Sequence, residues 1–396
     1  MVVLLYFSLR GKAYDFQVFY RASELTLALD SPWEAVIDPI HLAFMNGPLT
    51  ALLISPLGIF SENLALLITR TLSISLIPCL TYHLLKFFTP HLEVSMTNKN
   101  IWLASTAALF TFPVRANLEY GQFYIIFLTI AVYALRHSQS SEHKSLFFSG
   151  LLIGICCDYK PQSFLFFAIL IGFTNKYIFF GGCLTVVLSA FSSVLLTGEI
   201  PFKVWVEVIL ARLKGGSTPE QMHIYTLHPR LTLLFVVAAV FVILVRFKLK
   251  TESVTDLTNS KVFFLFVAML LSPWMHSSDL VLVSIFIVGI VVFNHGLNLI
   301  SSLGLGALLV WSDRLIINII LLTLMVFLIV IWNITSKTNI FSLWIIFVPQ
   351  AIFYFVPNEN EELQILHRHL WGLASLVSAL LLSAFSKSPS SRDLRR

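Results

Sequence analysis

The chain has 396 residues, of which 57% are hydrophobic and 12% charged, with a formal net charge of +5 and a mean hydropathy of +0.84. A soluble surface on a chain of this size needs about a quarter of its residues charged, so most of the exterior falls to lipid and the composition is that of a polytopic membrane protein. A cytosolic enzyme, a secreted disulfide scaffold and a nucleic-acid-binding domain are excluded, the last because Lys and Arg are dispersed among short loops.

In chain order, the first polar stretch is preceded by a short apolar run at residues 2–9. A spanning helix needs about twenty residues, and a signal peptide needs a basic start and a cleavage site. The expectation is a chain that begins partway into a first transmembrane helix, or a start assigned too far downstream. The stretch 16–45 mixes Trp33, Phe44 and several acids and is expected to form helices lying on the membrane surface. Segment 47–60 is too short and proline-broken to span, and reads as re-entrant or interfacial. Apolar runs follow at 63–88, 101–113, 118–135, 146–157, 162–174, 177–197, 229–246, 262–274, 279–294, 296–311, 314–333, 339–356 and 365–386. The short ones, such as 146–157 and 262–274, are expected to extend into the polar residues at their ends. The predicted architecture is an all-α polytopic membrane protein, a single transmembrane domain over 1–396 with about 13 spans plus the truncated first helix. Cys79, Cys156, Cys157 and Cys183 lie in or beside apolar runs and read as small hydrophobes.

Alternating the spans separates two sets of loops. One holds Lys86, Lys99, Arg136, Lys144, Lys176, Arg246, Lys248, Lys250, Lys261, Lys337 and the basic tail, with few acids. The other is richer in acid, including Asp15, Asp30, Glu34, Asp38, Glu199, Glu220 and Glu359. The positive-inside rule makes the first set cytoplasmic and leaves 10–62 and 198–230 as outer loops. The dense polar clusters then share the outer face: Tyr14-Asp15-Phe16, Glu119-Tyr120-Gly121-Gln122, Asp158-Tyr159-Lys160-Pro161, His228-Pro229-Arg230 and Pro273-Trp274-Met275-His276. Convergence of distant segments on one membrane face is what a site at the outer interface requires.

Each cluster has a structural and a functional reading. Asp15 is either a solvated helix cap or a carboxylate base. Lys160 either pairs with Asp158 to cap a turn or supplies a point charge for a phosphate. His276, with Asp279 three residues on, is either a hydrogen-bonded structural residue or a phosphate donor. Glu119 and Gln122 flank Gly121 as caps or as sugar contacts. No second His or Cys stands at metal spacing beside His276, so no metal site is expected. There is no P-loop and no G-x-S-x-G, and Gly304-Leu305-Gly306 reads as helix packing. A sugar nucleotide would lie on the opposite, cytoplasmic side.

The ordered series Asp15-Phe16…Phe19-Tyr20-Arg21-Ala22, Gly47-Pro48-Leu49 with Ser55-Pro56-Leu57, Gly121-Gln122, Lys160-Pro161-Gln162 and Ser272-Pro273-Trp274-Met275-His276 resembles glycosyltransferase family 87. These are polyprenyl-phosphate-sugar-dependent transferases of the GT-C superfamily, among them bacterial alpha-1,2-mannosyltransferases. The likeness runs from residue 14 to about 295, and departs in the clipped first span and in a single His where relatives often carry a second polar residue just after it. The resemblance implies a GT-C-like transmembrane helix bundle with interfacial helices in the first outer loop, integral to a bacterial plasma membrane with its site facing outward. It implies inverting transfer of a hexose, mannose first, from a polyprenyl-phosphate sugar to a glycan or glycolipid acceptor, without a cofactor. Asp15 falls on the general base, and Lys160 and His276 fall near the lipid phosphate. Tyr14, Tyr20, Glu119, Gln122, His228 and Arg230 complete the candidate substrate contacts. This agrees with the residue chemistry, in which a carboxylate deprotonates the acceptor hydroxyl and cations stabilise the departing phosphate.

Two other classes stay open. An O-antigen polymerase or ligase would use Arg212, His223, His228 and Arg230 of the 198–230 loop to hold an undecaprenyl diphosphate, and would tolerate loss of Asp15. A transporter or lipid flippase should show internal repeats and polar groups near mid-membrane; no repeat is evident, and the polar groups crowd one face. Single cysteines placed in 136–144 and 246–261 should resist a membrane-impermeant thiol reagent in intact cells, and those in 198–230 should react. The opposite labelling pattern would overturn the sidedness.

Overall fold

The computed structural model describes residues 13–37, 42–86, 97–161, 164, 168, 175–200, 202–214, 277–293, 305, 374–375 and 378–379. Their regular elements are helices, except for one two-residue antiparallel pair. The chain divides into two compact units, Met1–Ile77 with Ala116–Thr218, and Pro78–Arg115 with Pro219–Arg396.

The first unit opens with α1 (Tyr14–Leu27). Its buried residues Phe16, Phe19, Ala22, Ser23 and Thr26 recur at three- and four-residue spacing, which gives one packed stripe. Asp15 sits in its first turn, where a carboxylate complements the helix dipole. A 3₁₀ turn at Pro32–Glu34 leads to β1 (Val36–Ile37), which pairs with β2 (Leu42–Ala43) in the register Val36↔Ala43 and Ile37↔Leu42. Helix α2 (Pro48–Ile54) starts on a proline, whose missing N–H costs nothing there, and gives way to a 3₁₀ turn over Ser55–Ile59. The segment expected to be short and broken is therefore two short helical pieces.

Helix α3 (Glu62–Lys86) contributes residues 62–77 to the first unit and the remainder, beginning at Pro78, to the second. Helices α4 (Asn98–Ala108), α5 (Phe112–Tyr120) and α6 (Tyr124–His137) occupy the sequence where two spans, 101–113 and 118–135, were expected. The chain breaks ahead of Pro113, which favours the first turn of a new helix, and again at Gly121, whose φ of 67° ends α5. Helix α7 (His143–Tyr159) extends the 146–157 run into the polar residues at both ends, as expected. Helices α8 (Lys176–Thr197) and α9 (Lys203–Lys214) complete the unit.

The tightest packing is between α7 and α8. A Cβ on Gly150 would collide with the Ile178 carbonyl, one on Gly181 with the Phe147 carbonyl, and one on Gly154 with the Thr185 side chain. Across this crossing the Thr185 hydroxyl donates to the Leu151 carbonyl at 3.0 Å. Small residues that bring backbones together, with a hydroxyl bridging them, are the means by which helices associate in lipid. Helix α7 is tied to α6 by Ser149 Oγ donating to the Ala134 carbonyl at 2.7 Å and Cys156 Sγ to the Phe127 carbonyl at 3.3 Å.

Among the described residues, two helices are long and apolar enough to cross a membrane: α3, with 25 residues, and α8, with 22. At about 1.5 Å per residue both exceed the roughly 30 Å hydrocarbon core. Helix α8 exposes Phe179, Phe180, Val186, Val187, Phe191 and Leu195, a surface suited to acyl chains and not to water.

In the second unit α4 is capped by Thr97, whose side chain accepts from Asn100 N–H. The Ser105 hydroxyl on α4 donates to Thr81 Oγ1 at 3.2 Å. A 3₁₀ turn at Ser277–Leu280 leads into α10 (Val281–Phe293), within the expected 279–294 run. The expected runs at 229–246, 262–274, 314–333 and 339–356 lie outside the described residues, as do nearly all of 162–174, 296–311 and 365–386.

The α7–α8 crossing yields a stability test. Gly181→Ala should lower the thermal unfolding midpoint of the detergent-solubilised protein, by the equivalent of about 1–3 kcal/mol for an overpacked contact. Gly182→Ala, whose added carbon meets nothing nearer than 3.9 Å, should be neutral or slightly stabilising. Equal effects at the two neighbours would show that the crossing has slack.

Candidate active site

The site is built within the first unit around the turn between α5 and α6. The left-handed backbone at Gly121 reverses the chain, and Gln122 N–H closes the turn onto the Asn117 carbonyl at 2.9 Å. A Cβ at Gly121 would strike the Phe16 side chain, so glycine is required by both conformation and space. Phe123 follows and packs against α1, with its ring 6.4 Å from Phe16 and 4.9 Å, edge-on, from Phe19. These aromatic contacts set the first turn of α1 beside Gln122.

Asp15 and Gln122, separated by 107 residues, meet there: Gln122 Nε2 donates to Asp15 Oδ2 at 2.5 Å. Gln122 Oε1 is buried with no hydrogen-bond partner. A carboxylate can only accept, so the amide nitrogen must face Asp15 and the amide oxygen is left over. Asp15 is therefore not an N-cap, since Ala13 holds that position; it is a first-turn residue aimed at the α5–α6 turn.

Lys160 lies beside the first residue of α6. It leaves α7 at φ −145° and ψ 78°, and its ammonium lies 4.8 Å from the centre of the Tyr124 ring, within cation–π range. Tyr124 is two residues beyond Gln122, so the two anchor points have Cα atoms no more than about 7 Å apart. An acid and a cation thus hang from one short stretch of backbone.

Asp158 does not pair with Lys160. Its Oδ2 accepts from Thr50 N–H at 2.6 Å and Thr50 Oγ1 at 2.8 Å, and its Oδ1 accepts from Ser189 Oγ. The reason is local: the N-terminus of α2 presents unsatisfied N–H groups and the positive end of its dipole, and a carboxylate in their path satisfies both. The Asp158 carbonyl accepts from Gly47 N–H at 2.7 Å, and the Tyr159 carbonyl accepts from the Asn46 side chain. A Cβ on Gly47 would occupy the space taken by the Asp158 carboxylate. Two indoles fix the same segment: Trp33 Nε1 donates to the Asn46 carbonyl at 3.1 Å, and Trp205 Nε1 to the Met45 carbonyl at 2.9 Å.

Arg70, on α3, is buried and donates from Nε to the Leu118 carbonyl at 2.8 Å and from Nη2 to the Glu119 carbonyl at 2.9 Å. It caps the C-terminal end of α5, where a cation is favourable, and so braces the α5–α6 turn. Tyr14 is the first residue of α1. The Tyr20 hydroxyl donates to the Phe60 carbonyl at 2.8 Å. Burial, reinforced by Glu24 and Glu62, pushes the Tyr20 phenol above its ordinary range, so it stays a donor. His228, Arg230 and His276 lie outside the described residues, as does His223. Among the described residues no three His, Cys, Asp or Glu side chains gather as a metal site would require.

Reading the sequence missed Arg70, Asn46, Thr50 and Ser189. Arg70 carried a usable signal, being an ionisable residue inside the apolar run 63–88. Thr50 and Ser189 carried none, because their part depends on contacts 108 and 31 residues away.

A carboxylate and an ammonium anchored near one turn, in a unit with long apolar helices, are compatible with a membrane-associated group-transfer enzyme. The sequence model of glycosyltransferase family 87 matches residues 44–273, more than half of the chain, and the chain belongs to that family. It is therefore a glycosyltransferase. The matched region holds Gln122, Asp158 and Lys160, while Asp15 precedes it and His276 follows it. No curated protein matches the chain, and no solved structure does.

The Asp158 network makes a prediction. Asp158→Ala would strand the Thr50 N–H and the Ser189 hydroxyl, and should cost about 2–4 kcal/mol in unfolding free energy together with activity. Asp158→Asn keeps one acceptor oxygen and should cost less than half as much. A thermal melt of both variants in the same detergent checks the order.

Proposed function

We propose that this enzyme transfers a hexose, mannose first, from a polyprenyl-phosphate sugar to a hydroxyl of a glycan or glycolipid. The reaction takes place at the outer face of a bacterial plasma membrane, within a multi-pass GT-C-type bundle whose first outer loop carries the interfacial helices α1 and α2. The observation that supports this reading is that Asp15 is held by Gln122 and Lys160 lies over the ring of Tyr124, two residues further on at the α5–α6 turn.

In this mechanism the acceptor hydroxyl attacks the anomeric carbon from the face opposite the phosphate. Asp15 takes the hydroxyl proton as the new C–O bond forms. The bond from the anomeric carbon to the phosphate oxygen breaks with inversion, and the polyprenyl phosphate departs with the electron pair. Lys160, joined by His276, stabilises the charge that collects on that phosphate. Gln122 aims the base through its amide N–H, and the Tyr124 ring holds the Lys160 ammonium at the turn. The sidedness draws support from the Lys/Arg asymmetry of the loops.

A transfer assay with radiolabelled polyprenyl-phosphate sugars and a membrane extract as acceptor tests the reading. Asp15→Asn should fold and bind donor, with turnover down by about a hundredfold or more, the scale of a lost general base. Lys160→Ala and His276→Ala should impair donor use more than acceptor use. Near-normal turnover in Asp15→Asn would sink the assignment and favour a ligase centred on the 198–230 loop.

A further inference from the structure

The helices that frame the candidate site also have a second end. Helix α6 leaves the site at Tyr124 and finishes at Arg136 and His137; α7 begins at His143 and Lys144 and returns to the site at Tyr159. Helix α8 begins at Lys176 and reaches the site at Ser189. With about 1.5 Å per residue, the basic ends lie on the order of 20 Å from the catalytic turn, too far to take part in the transfer.

Side-chain contacts gather these ends. His137 Nδ1 and Ser145 Oγ are 2.9 Å apart, joining α6 to α7. The His143 imidazole stacks on the Tyr177 ring at 4.1 Å, joining α7 to α8. Lys176 Nζ lies 5.2 Å from the centre of the same Tyr177 ring. Glu142 is the only acid in 133–148 and 176–180, so the cluster is net positive before either histidine is counted. His143, Lys144 and Lys176 are exposed. Within about one helical turn of these cations, Phe147, Phe148, Phe179 and Phe180 are exposed as well.

Cations at the rim with rings immediately inside them make a two-zone surface. A free phosphate would use the cations and leave the rings in water. A phospholipid uses both, with its phosphodiester on the cations and its acyl chains along the rings. We infer that this end of the first unit binds the headgroup of an anionic phospholipid in the leaflet opposite the catalytic turn. The inference rests on the membrane placement proposed above, but not on the role of Asp15. Such a lipid bridges the ends of α6, α7 and α8 and fixes the depth of the unit in the bilayer.

The test is native mass spectrometry of the full chain in detergent, titrated with phosphatidylglycerol or phosphatidylcholine of matched acyl chains. The wild type should retain phosphatidylglycerol preferentially. Lys144→Gln combined with Lys176→Gln should reduce that affinity by about thirtyfold, the scale of two interfacial cations. Arg21→Gln with Lys203→Gln, which removes two exposed cations elsewhere, should leave it unchanged. Equal retention of the two lipids, or a preference that survives the Lys144 and Lys176 changes, would overturn the proposal. Displacement of the lipid by millimolar inorganic phosphate alone would also overturn it, by showing that the rings contribute nothing. Sugar-transfer activity does not enter the readout, so this result and that of the Asp15 experiment stand independently.

Discussion

The Asp158 carboxylate is withdrawn from solvent and surrounded by donors from two other helices, Thr50 at the start of α2 and Ser189 on α8. An isolated carboxylate at that depth is costly, so its donors are obligatory and the three helices are held in one arrangement. Much else follows from that position. The neighbouring main-chain carbonyls of Asp158 and Tyr159 anchor Gly47 and Asn46, and the segment they hold is the one to which the two tryptophans also donate. Helix α7 is obliged to end there, and its end delivers Lys160 to Tyr124. A residue that takes no part in the proposed chemistry thereby decides where the proposed phosphate-binding cation stands.

Opposite it, the α5–α6 turn has a different logic. Its geometry depends on a missing side chain at Gly121 and on a buried arginine that closes off the preceding helix. The backbone carbonyls around the turn are satisfied, that of Asn117 by Gln122 N–H and those of Leu118 and Glu119 by Arg70. A well-braced turn suits the proposed chemistry, in which an acid and a cation act on opposite ends of one reacting bond and small misplacements are expensive in rate.

The helical character of the described residues was legible in the apolar runs, and the runs 63–88 and 177–197 became α3 and α8 almost as read. Span boundaries near 101–135 were less legible, because Pro113 and Gly121 break helices whose apolar pattern runs straight through them. Among site residues, Asp15, Gln122 and Lys160 stood out as polar islands between apolar runs, and the structure brings Asp15 to Gln122. Lys160 and Asp158, two apart in sequence, invited a local pairing that the α2 N-terminus overrides. Proximity along the chain was a poor guide there, because the strongest donors for a buried carboxylate came from 108 residues away.

The close crossing of α7 and α8 has a consequence for motion. With Gly150 seated on the Ile178 carbonyl and Gly181 on the Phe147 carbonyl, neither helix can slide or rotate past the other without a collision of backbones. The pair therefore moves as a single rigid strut, and the separation between its site end and its basic end is fixed. Whatever rearrangement admits donor and acceptor has to take place in the elements packed around the strut, leaving the strut itself as the stationary frame against which substrate entry is measured.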